Sequence, residues 1–220
     1  MKPLVLFGAG DIAELAHFYF TADAKRTVAA FTVDGAYLKE ATLRGLPVVA
    51  FEDLAARFPP ATHDAFVAVS YTGLNQLRKD KYLACKAAGY GLASYVSTRA
   101  TVQTEHPVGE NCFLLEDNTI QYGVRVGNNV TMWSGNHIGH HSVVHDHVFI
   151  ASHAVVSGGV TIGERCFIGV NATLRDHITL GERCVVGAGA LLLADAEPEG
   201  VYIGPATERS RVPSSRLRRI

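Results

Sequence analysis

Net charge is nearly absent from this chain of 220 residues: 20 basic side chains stand against 21 acidic ones. No global field is therefore left to steer it to nucleic acid or to a lipid surface. It has no run of 18 apolar residues, which excludes a membrane-spanning helix. Cysteine is scarce, with Cys85, Cys112, Cys166 and Cys184 the only four and no CxxC pair among them. Neither a zinc knuckle nor a disulfide framework is indicated. The opening MKPLVLFGAGD lacks the pattern of a cleavable signal and reads as a first strand. A soluble, cytoplasmic protein is expected. Apolar residues are plentiful, at 48%, enough to bury a real core.

A period of six runs through the second half. From Val96 every sixth residue is aliphatic: Val96, Val102, Val108, Leu114, Ile120, Val126, Met132, Ile138, Val144, Ile150, Val156, Ile162, Ile168, Leu174, Leu180, Val186 and Leu192. Glycine often follows, as at Gly109, Gly127, Gly139, Gly163, Gly169, Gly181 and Gly187. Four residues after the aliphatic the side chain is small or medium, as at Cys112, Val130, Ala154, Cys166 and Cys184. This pattern resembles the hexapeptide repeat of left-handed parallel β-helices. Each unit is one short strand and a turn, and three units make a triangular coil of 18 residues. The aliphatic then points inward, the small residue fits the narrow interior, and glycine is expected to supply positive φ at the corner. Residues 18 apart share a column. Cys112, Cys166 and Cys184 are thus expected to be inert core thiols. Asn118 and Asn136, one coil apart, are expected to stack as an amide ladder.

Residues 1–95 lack this period. LVLFGAGDIAELAHFYF reads as strand, glycine turn and helix, and TVAAFTVDG as a second strand ending at Asp34. LPVVAF, FEDLAARF, AFVAVS and NQLRKDKYLACKAAG continue the alternation of strand and helix. A small parallel α/β domain follows. Gly8, Ala9, Gly10 and Asp11 open a G-x-G-x-x-A turn, with Asp34 about 20 residues further on. Such a turn brings backbone N–H groups and a helix N-terminus to a phosphate. It also serves as a tight turn with close packing and no ligand. About 95 residues hold too few strands for a full dinucleotide domain, which argues against NAD.

The chain from FGAGDIAE through the repeats to VYIGPATER resembles a bacterial family. That family contains sialic acid O-acetyltransferases and N-acetyltransferases of nucleotide-linked amino sugars. The resemblance implies an α/β Rossmann-like domain over 1–95 that holds a nucleotide-linked sugar. It implies a left-handed β-helix over 96–220 that assembles as a homotrimer, with acetyl-CoA, or another acyl-CoA, in the groove between prisms. In the family a histidine within H-[DE]-C-x-I-G is the general base. By hexad phase this falls on His140, and the acidic neighbour is replaced by His141. A second histidine, nine residues later, contacts the acyl donor in the family and is replaced here by Phe149.

GNHIGHHSVVHDHVFIASH, Gly135 to His153, carries six histidines. Neutral imidazole suits the removal of a proton from an amine or hydroxyl attacking a thioester. One coil above His140 and His141 stand Gly158 and Gly159, which are expected to leave room for a pantetheine arm and an oxyanion donor. His177 continues the column of His141, and His137, His145, His147 and His153 are expected on turns or the outer face. The rival reading is a metal hydratase resembling the γ-type carbonic anhydrases, since His140 and His145 have the five-residue spacing of two ligands there. The third ligand position is Thr104, with His106 two residues away. A non-catalytic, sugar-binding trimer is the other alternative. No metal is expected on the transferase reading. After Leu192 the repeat stops, and the family resemblance implies that Gly204, Pro205, Ala206 and Arg209 lie near the nucleotide end of CoA. Arg211, Arg216, Arg218 and Arg219 make the tail basic.

Overall fold

The strand Leu4–Phe7 (β1) is the centre of the front half of this computed structural model, which describes residues 1–216. All four of its residues are buried, because helices cover both faces. Leu4 and Leu6 face Ala13, Ala16 and Phe20 of α1 (Asp11–Ala22). Val5 and Phe7 face Leu54 of α2 (Leu54–Arg57) and Tyr82 and Cys85 of α3 (Gln76–Ala87). With β2 (Val28–Val33), β3 (Thr42–Leu43), β4 (Leu46–Ala50), β5 (Asp64–Val67) and β6 (Gly91–Leu92), the sheet order is β3-β4-β2-β1-β5-β6. All pairs are parallel except the β3–β4 hairpin. The chain leaves β1 toward β2 on one side and returns to β5 on the other. The carboxyl ends of β1 and β5 thus form the point where strand order reverses.

From Tyr95 the chain winds into a three-sided prism of two-residue strands. The first face has seven strands, from Tyr95–Val96 to Val201–Tyr202. The second has six, from Thr101–Val102 to Leu191–Leu192, and the third four, from Arg125–Val126 to Thr179–Leu180. Pairing is parallel at a spacing of 18, as in Ile138↔Val156 and Phe149↔Phe167. The inward aliphatics from Leu114 to Leu192 form one core with the inward thiols Cys112, Cys166 and Cys184, which are free and buried. Val96 and Val102 remain 36% and 38% exposed, because no coil lies beneath the first turn.

Two structural expectations change. The glycine after each aliphatic is not the left-handed corner. A Cβ at Gly139 would lie 2.5 Å from the Ser157 carbonyl carbon, and one at Gly163 would lie 2.7 Å from the Glu182 nitrogen. These glycines let consecutive coils approach. Positive φ falls two residues later, on Asn111, Asn129, His141, Arg165, Asn171 and Arg183 among others. Short polar side chains and histidine tolerate that region best. Nor do Asn118 and Asn136 stack amide to amide. Asn118 Oδ1 accepts from the Asn136 backbone N–H (3.2 Å), and Asn136 Oδ1 from that of Ala154 (2.7 Å).

The side-chain ladder lies one corner away. Asn111 Nδ2 donates to Asn129 Oδ1 (2.8 Å), and the Asn129 amide meets His147 Nδ1 (2.8 Å). All three are buried. Asn111 Oδ1 also accepts the Val67 N–H (2.7 Å), which ties the column to β5. His147 is therefore not the exposed turn residue expected of it. Burial pulls its pKa down to about 4, against smaller upward contributions from Asp146 and Glu164. The unfolded chain binds the proton at a higher pH than the folded one. This group's contribution to stability is thus complete above about pH 6.5 and is lost as pH falls toward about 4. His147→Asn, which fits the same left-handed corner, should flatten the dependence of the urea midpoint on pH across that window. An unchanged slope would show that His147 does not carry it.

Candidate active site

Gly8 closes the β1–α1 turn at φ +129°, and a Cβ there would meet the Ala68 carbonyl oxygen at 2.5 Å. Its glycine is an internal requirement. Gly10, the N-cap of α1, has an ordinary φ of −105°, and a Cβ there would meet nothing within 4 Å. The fold itself gives no reason for glycine at this position. Among the described residues, the backbone N–H groups of Ala9, Gly10, Asp11 and Ile12 donate to no protein group. This is the open N-terminus of a 12-residue helix, with its partial positive charge exposed. Two cavities flank it. One lies over Gly8–Ile12 and Ala68–Tyr71, at the carboxyl ends of β1 and β5. The other lies beside Ala9 and is lined by Val33, Tyr37, Thr42 and Leu43 on the β2 side.

Asp34 joins neither cavity. Its carboxylate accepts from Lys81 Nζ of α3 at 2.6 Å, and the same ammonium lies 5.3 Å from the Phe7 ring centroid. The carboxylate expected to meet a ligand is thus also held in an ion pair within the fold, through one of its two oxygens.

His140 and His141 sit at the edge between the second and third faces, both exposed. Their Nδ1 atoms lie 3.1 Å apart, with the rings nearly perpendicular. One of these nitrogens must carry the proton and the other accept it. The His140 N–H donates to Gln121 Oε1 (2.9 Å). The space over Gly158 is filled by the His140 imidazole itself: a Cβ at Gly158 would lie 2.6 Å from its Nε2 and Cε1. His141 rests not under Gly159 but on Gly123, one coil earlier, against the Tyr122 ring at 5.6 Å. Gly159 is covered by His177. The expected room for a thin ligand above the two histidines is therefore occupied by imidazole. The Gly159 N–H is engaged by the His140 carbonyl (2.8 Å). Of the two glycines, only Gly158 keeps an N–H without a protein partner among the described residues.

Phe149, where the second family histidine is expected, is an anchor for the front domain. It stacks on Phe167 (5.5 Å, 13°) and lies under Tyr71 and the Arg78 guanidinium. Sequence reading passed over Tyr71, Arg78 and the Asn111–Asn129–His147 column. In the tail, Gly204 packs on Ala188 of the preceding coil. Pro205 lines an apolar groove with Leu191, Leu193 and Ile203, while Ala206 and Arg209 are exposed. Arg218 and Arg219 lie outside the described residues. Among the described residues, no three His, Cys, Asp or Glu side chains converge as metal ligands, and no helix is long and apolar enough to cross a membrane.

Two family descriptions match the prism: "Bacterial transferase hexapeptide (six repeats)" over residues 141–176, and "Hexapeptide repeat of succinyl-transferase" over residues 159–194. No curated protein matches the chain by sequence. Among solved structures, the fold is similar to a histidine-to-asparagine variant of perosamine N-acetyltransferase from Caulobacter crescentus, in complex with CoA and GDP-perosamine. The identity is 25% and the TM-score 0.82, over 93% of this chain and 94% of that one. It is also similar to the acetyltransferase domain of PglB from Neisseria gonorrhoeae FA1090 in complex with acetyl coenzyme A, at 24% identity and TM-score 0.80, over 91% and 95%. WeeI from Acinetobacter baumannii AYE shares the fold at 19% identity and TM-score 0.64, over 88% and 95%.

The two glycines of the turn separate in a stability measurement. Gly8→Ala should cost on the order of 2–3 kcal/mol, from backbone strain and the clash with Ala68. Gly10→Ala should stay within about 1 kcal/mol of the parent. Equal losses in urea unfolding would remove the distinction. The chain carries the transferase hexapeptide repeat on the two-part fold shared by solved sugar N-acetyltransferases.

Proposed function

We propose that the protein transfers an acyl group, acetyl in the simplest case, from acyl-CoA to the amino group of a nucleotide-linked sugar. His140 is the general base. The observation that carries this reading is the exposed His140–His141 pair, lying across Gly158 with a free N–H beside it. The CoA, acetyl-CoA and GDP-perosamine bound by the similar enzymes support the two substrate classes.

In this reading the His140 proton resides on Nδ1 and is donated to His141 Nδ1, which leaves His140 Nε2 free as base. The amine nitrogen attacks the thioester carbonyl, and Nε2 removes the proton that the nitrogen sheds. The carbonyl oxygen becomes an oxyanion, with the Gly158 N–H as its donor. Collapse of the adduct breaks the carbon–sulfur bond and expels the CoA thiolate. His141 supplies the hydrogen-bond acceptor that a neighbouring carboxylate would supply, without its negative charge. The diphosphate of the acceptor is assigned to the free N–H groups of Ala9–Ile12, where strand order reverses.

The geometry supports a site shared between copies. The front domain packs on the first face, while His140 lies on the opposite edge, between the second and third faces. An acceptor held by one copy reaches the His140 of another. Three copies about a threefold axis satisfy this for every site. The exposed outer residues Tyr122, Val155 and Leu191 suit such contacts. The CoA groove then runs between prisms, past His177 toward Gly204, Pro205, Ala206 and Arg209.

His140→Ala should retain the fold and CoA binding and lose about 10²- to 10⁴-fold in turnover, the usual share of general-base catalysis. Gly158→Ala tests the same geometry from the other side, since its methyl would displace the imidazole. It should also lower turnover while thermal melting stays unchanged. His141→Ala should cost less, on the order of tenfold. Near-parental thiol release by His140→Ala at saturating acceptor would leave positioning alone to carry the reaction. Light scattering should report a trimer at micromolar concentration, and a monomer would refute the shared site.

A further inference from the structure

Tyr71 is the one residue common to three adjoining cavities. The first lies over the Gly8–Ile12 turn. The second lies on the first face of the prism, between Trp133, Phe149, Phe167 and Val170. The third lies between Thr72–Leu74 and Val185. The side chain is half exposed, and its hydroxyl has no protein partner among the described residues. Its ring stands edge-on to Phe149 (5.0 Å, 69°) and tilted against Phe167 (4.9 Å, 56°).

The loop that presents this ring is strained and held. Gly73, Leu74 and Asn75 adopt left-handed φ in succession, at 61°, 53° and 62°. For leucine that conformation is unfavourable and persists only where neighbours enforce it. Here they do. The fully buried Asn75 amide donates to the carbonyls of Arg165 and Cys166, both at 3.3 Å, and its Oδ1 accepts from Arg78 (3.0 Å). Arg165 reaches back from the prism to the carbonyls of Leu74 (3.2 Å) and Gly73 (3.4 Å). The Tyr71 ring is therefore set in place before any ligand arrives.

We infer that Tyr71 reads the sugar of the acceptor and discriminates it from the bare nucleotide. This rests on the nucleotide-sugar reading above and adds to it the contact that distinguishes the two halves of the ligand. A diphosphate on the glycine turn has two exits. The β2 side, past Val33 and Tyr37, leads away from the prism and suits the nucleoside. The other exit passes Ser70 to Tyr71 and the first face of the prism, the side to which, on that reading, another copy brings its His140. A pyranose has a face of C–H groups and a rim of hydroxyls. An aromatic ring with a free phenol answers both.

The test compares GDP with GDP-perosamine, and UDP with a UDP-linked 4-amino sugar, by calorimetry on the full chain. The parent should bind at least one nucleotide-sugar more tightly than its nucleoside diphosphate. Tyr71→Ala should weaken that nucleotide-sugar by about tenfold, an aromatic contact's worth, and change the nucleoside diphosphate less than about twofold. Arg165→Asn keeps a residue suited to the left-handed corner and releases the loop carbonyls. It should give the same selective loss, and it serves if Tyr71→Ala does not fold. An equal loss for both ligands, or no loss for either, would overturn the inference. So would a change in oligomeric size with unaltered discrimination, since the ring would then serve an interface between copies. If the parent binds none of the four ligands, the nucleotide-sugar reading itself has failed.

Discussion

A single buried guanidinium joins the two halves of the molecule. Arg78, on α3, is 1% exposed. It donates to the carbonyl of Asn129 (2.6 Å), to Thr131 Oγ1 (2.7 Å), and to the carbonyls of His147 and Val148, both at 3.2 Å. No carboxylate shares its site, and its Nε is unpartnered among the described residues. Burial lowers its pKa to about 10, which still leaves it charged at neutral pH. Backbone dipoles of the prism thus stand where a counter-ion would, and the planar fork spans two coils at once. The same residue holds Asn75, and through it the Tyr71 loop. With the Asn111–Val67 hydrogen bond and the core shared by Phe20, Phe66, Tyr95 and Phe113, this contact places the glycine turn against the prism.

The other constraint is the 18-residue register. His140 comes under Gly158 and His141 over Gly123 because each coil repeats the one before it. Each ring lies where a glycine of an adjacent coil has no side chain. The pair is then brought to an Nδ1–Nδ1 distance of 3.1 Å by backbone geometry, with His141 in the left-handed conformation at φ 59°. The histidines of the prism thus separate by environment. His147 belongs to a buried column, while His153 and His177 lie over Gly135 and Gly159 on the outside. Among the described residues, only His140 and His141 face each other.

This division marks what could be read from the chain. The hexad is a local signal repeated many times, so the prism, its inward thiols and its pairing were legible. The α/β front was legible from alternation alone. The roles of the glycines were half legible, because the sequence marks where a side chain is absent but not why. Gly8 answers to strain, Gly139 to the approach of a coil, and Gly10 to nothing inside the protein. The contacts of Arg78 with Asn129 and His147 join residues 51 and 69 apart across two differently built domains. No period or motif announces such a contact. Asp34 shows the same limit, since a motif expects a carboxylate at that distance but does not see Lys81 arriving from α3.

Phe149 ties these strands together. In the resembling family its place belongs to a histidine turned toward the acyl donor. Here the ring is 4% exposed, stacked on Phe167 and covered by Tyr71 and Arg78. A polar side chain at that position would have to be desolvated beneath them, beside a charged guanidinium. Docking of the front domain therefore favours an aromatic residue, which offers no side-chain hydrogen-bond donor on this face. On the proposed mechanism, the oxyanion must then rely on the Gly158 N–H at the opposite edge, supplied by another copy. On that mechanism, the packing that fixes the front domain of one copy is also what ties the reaction to the backbone of another.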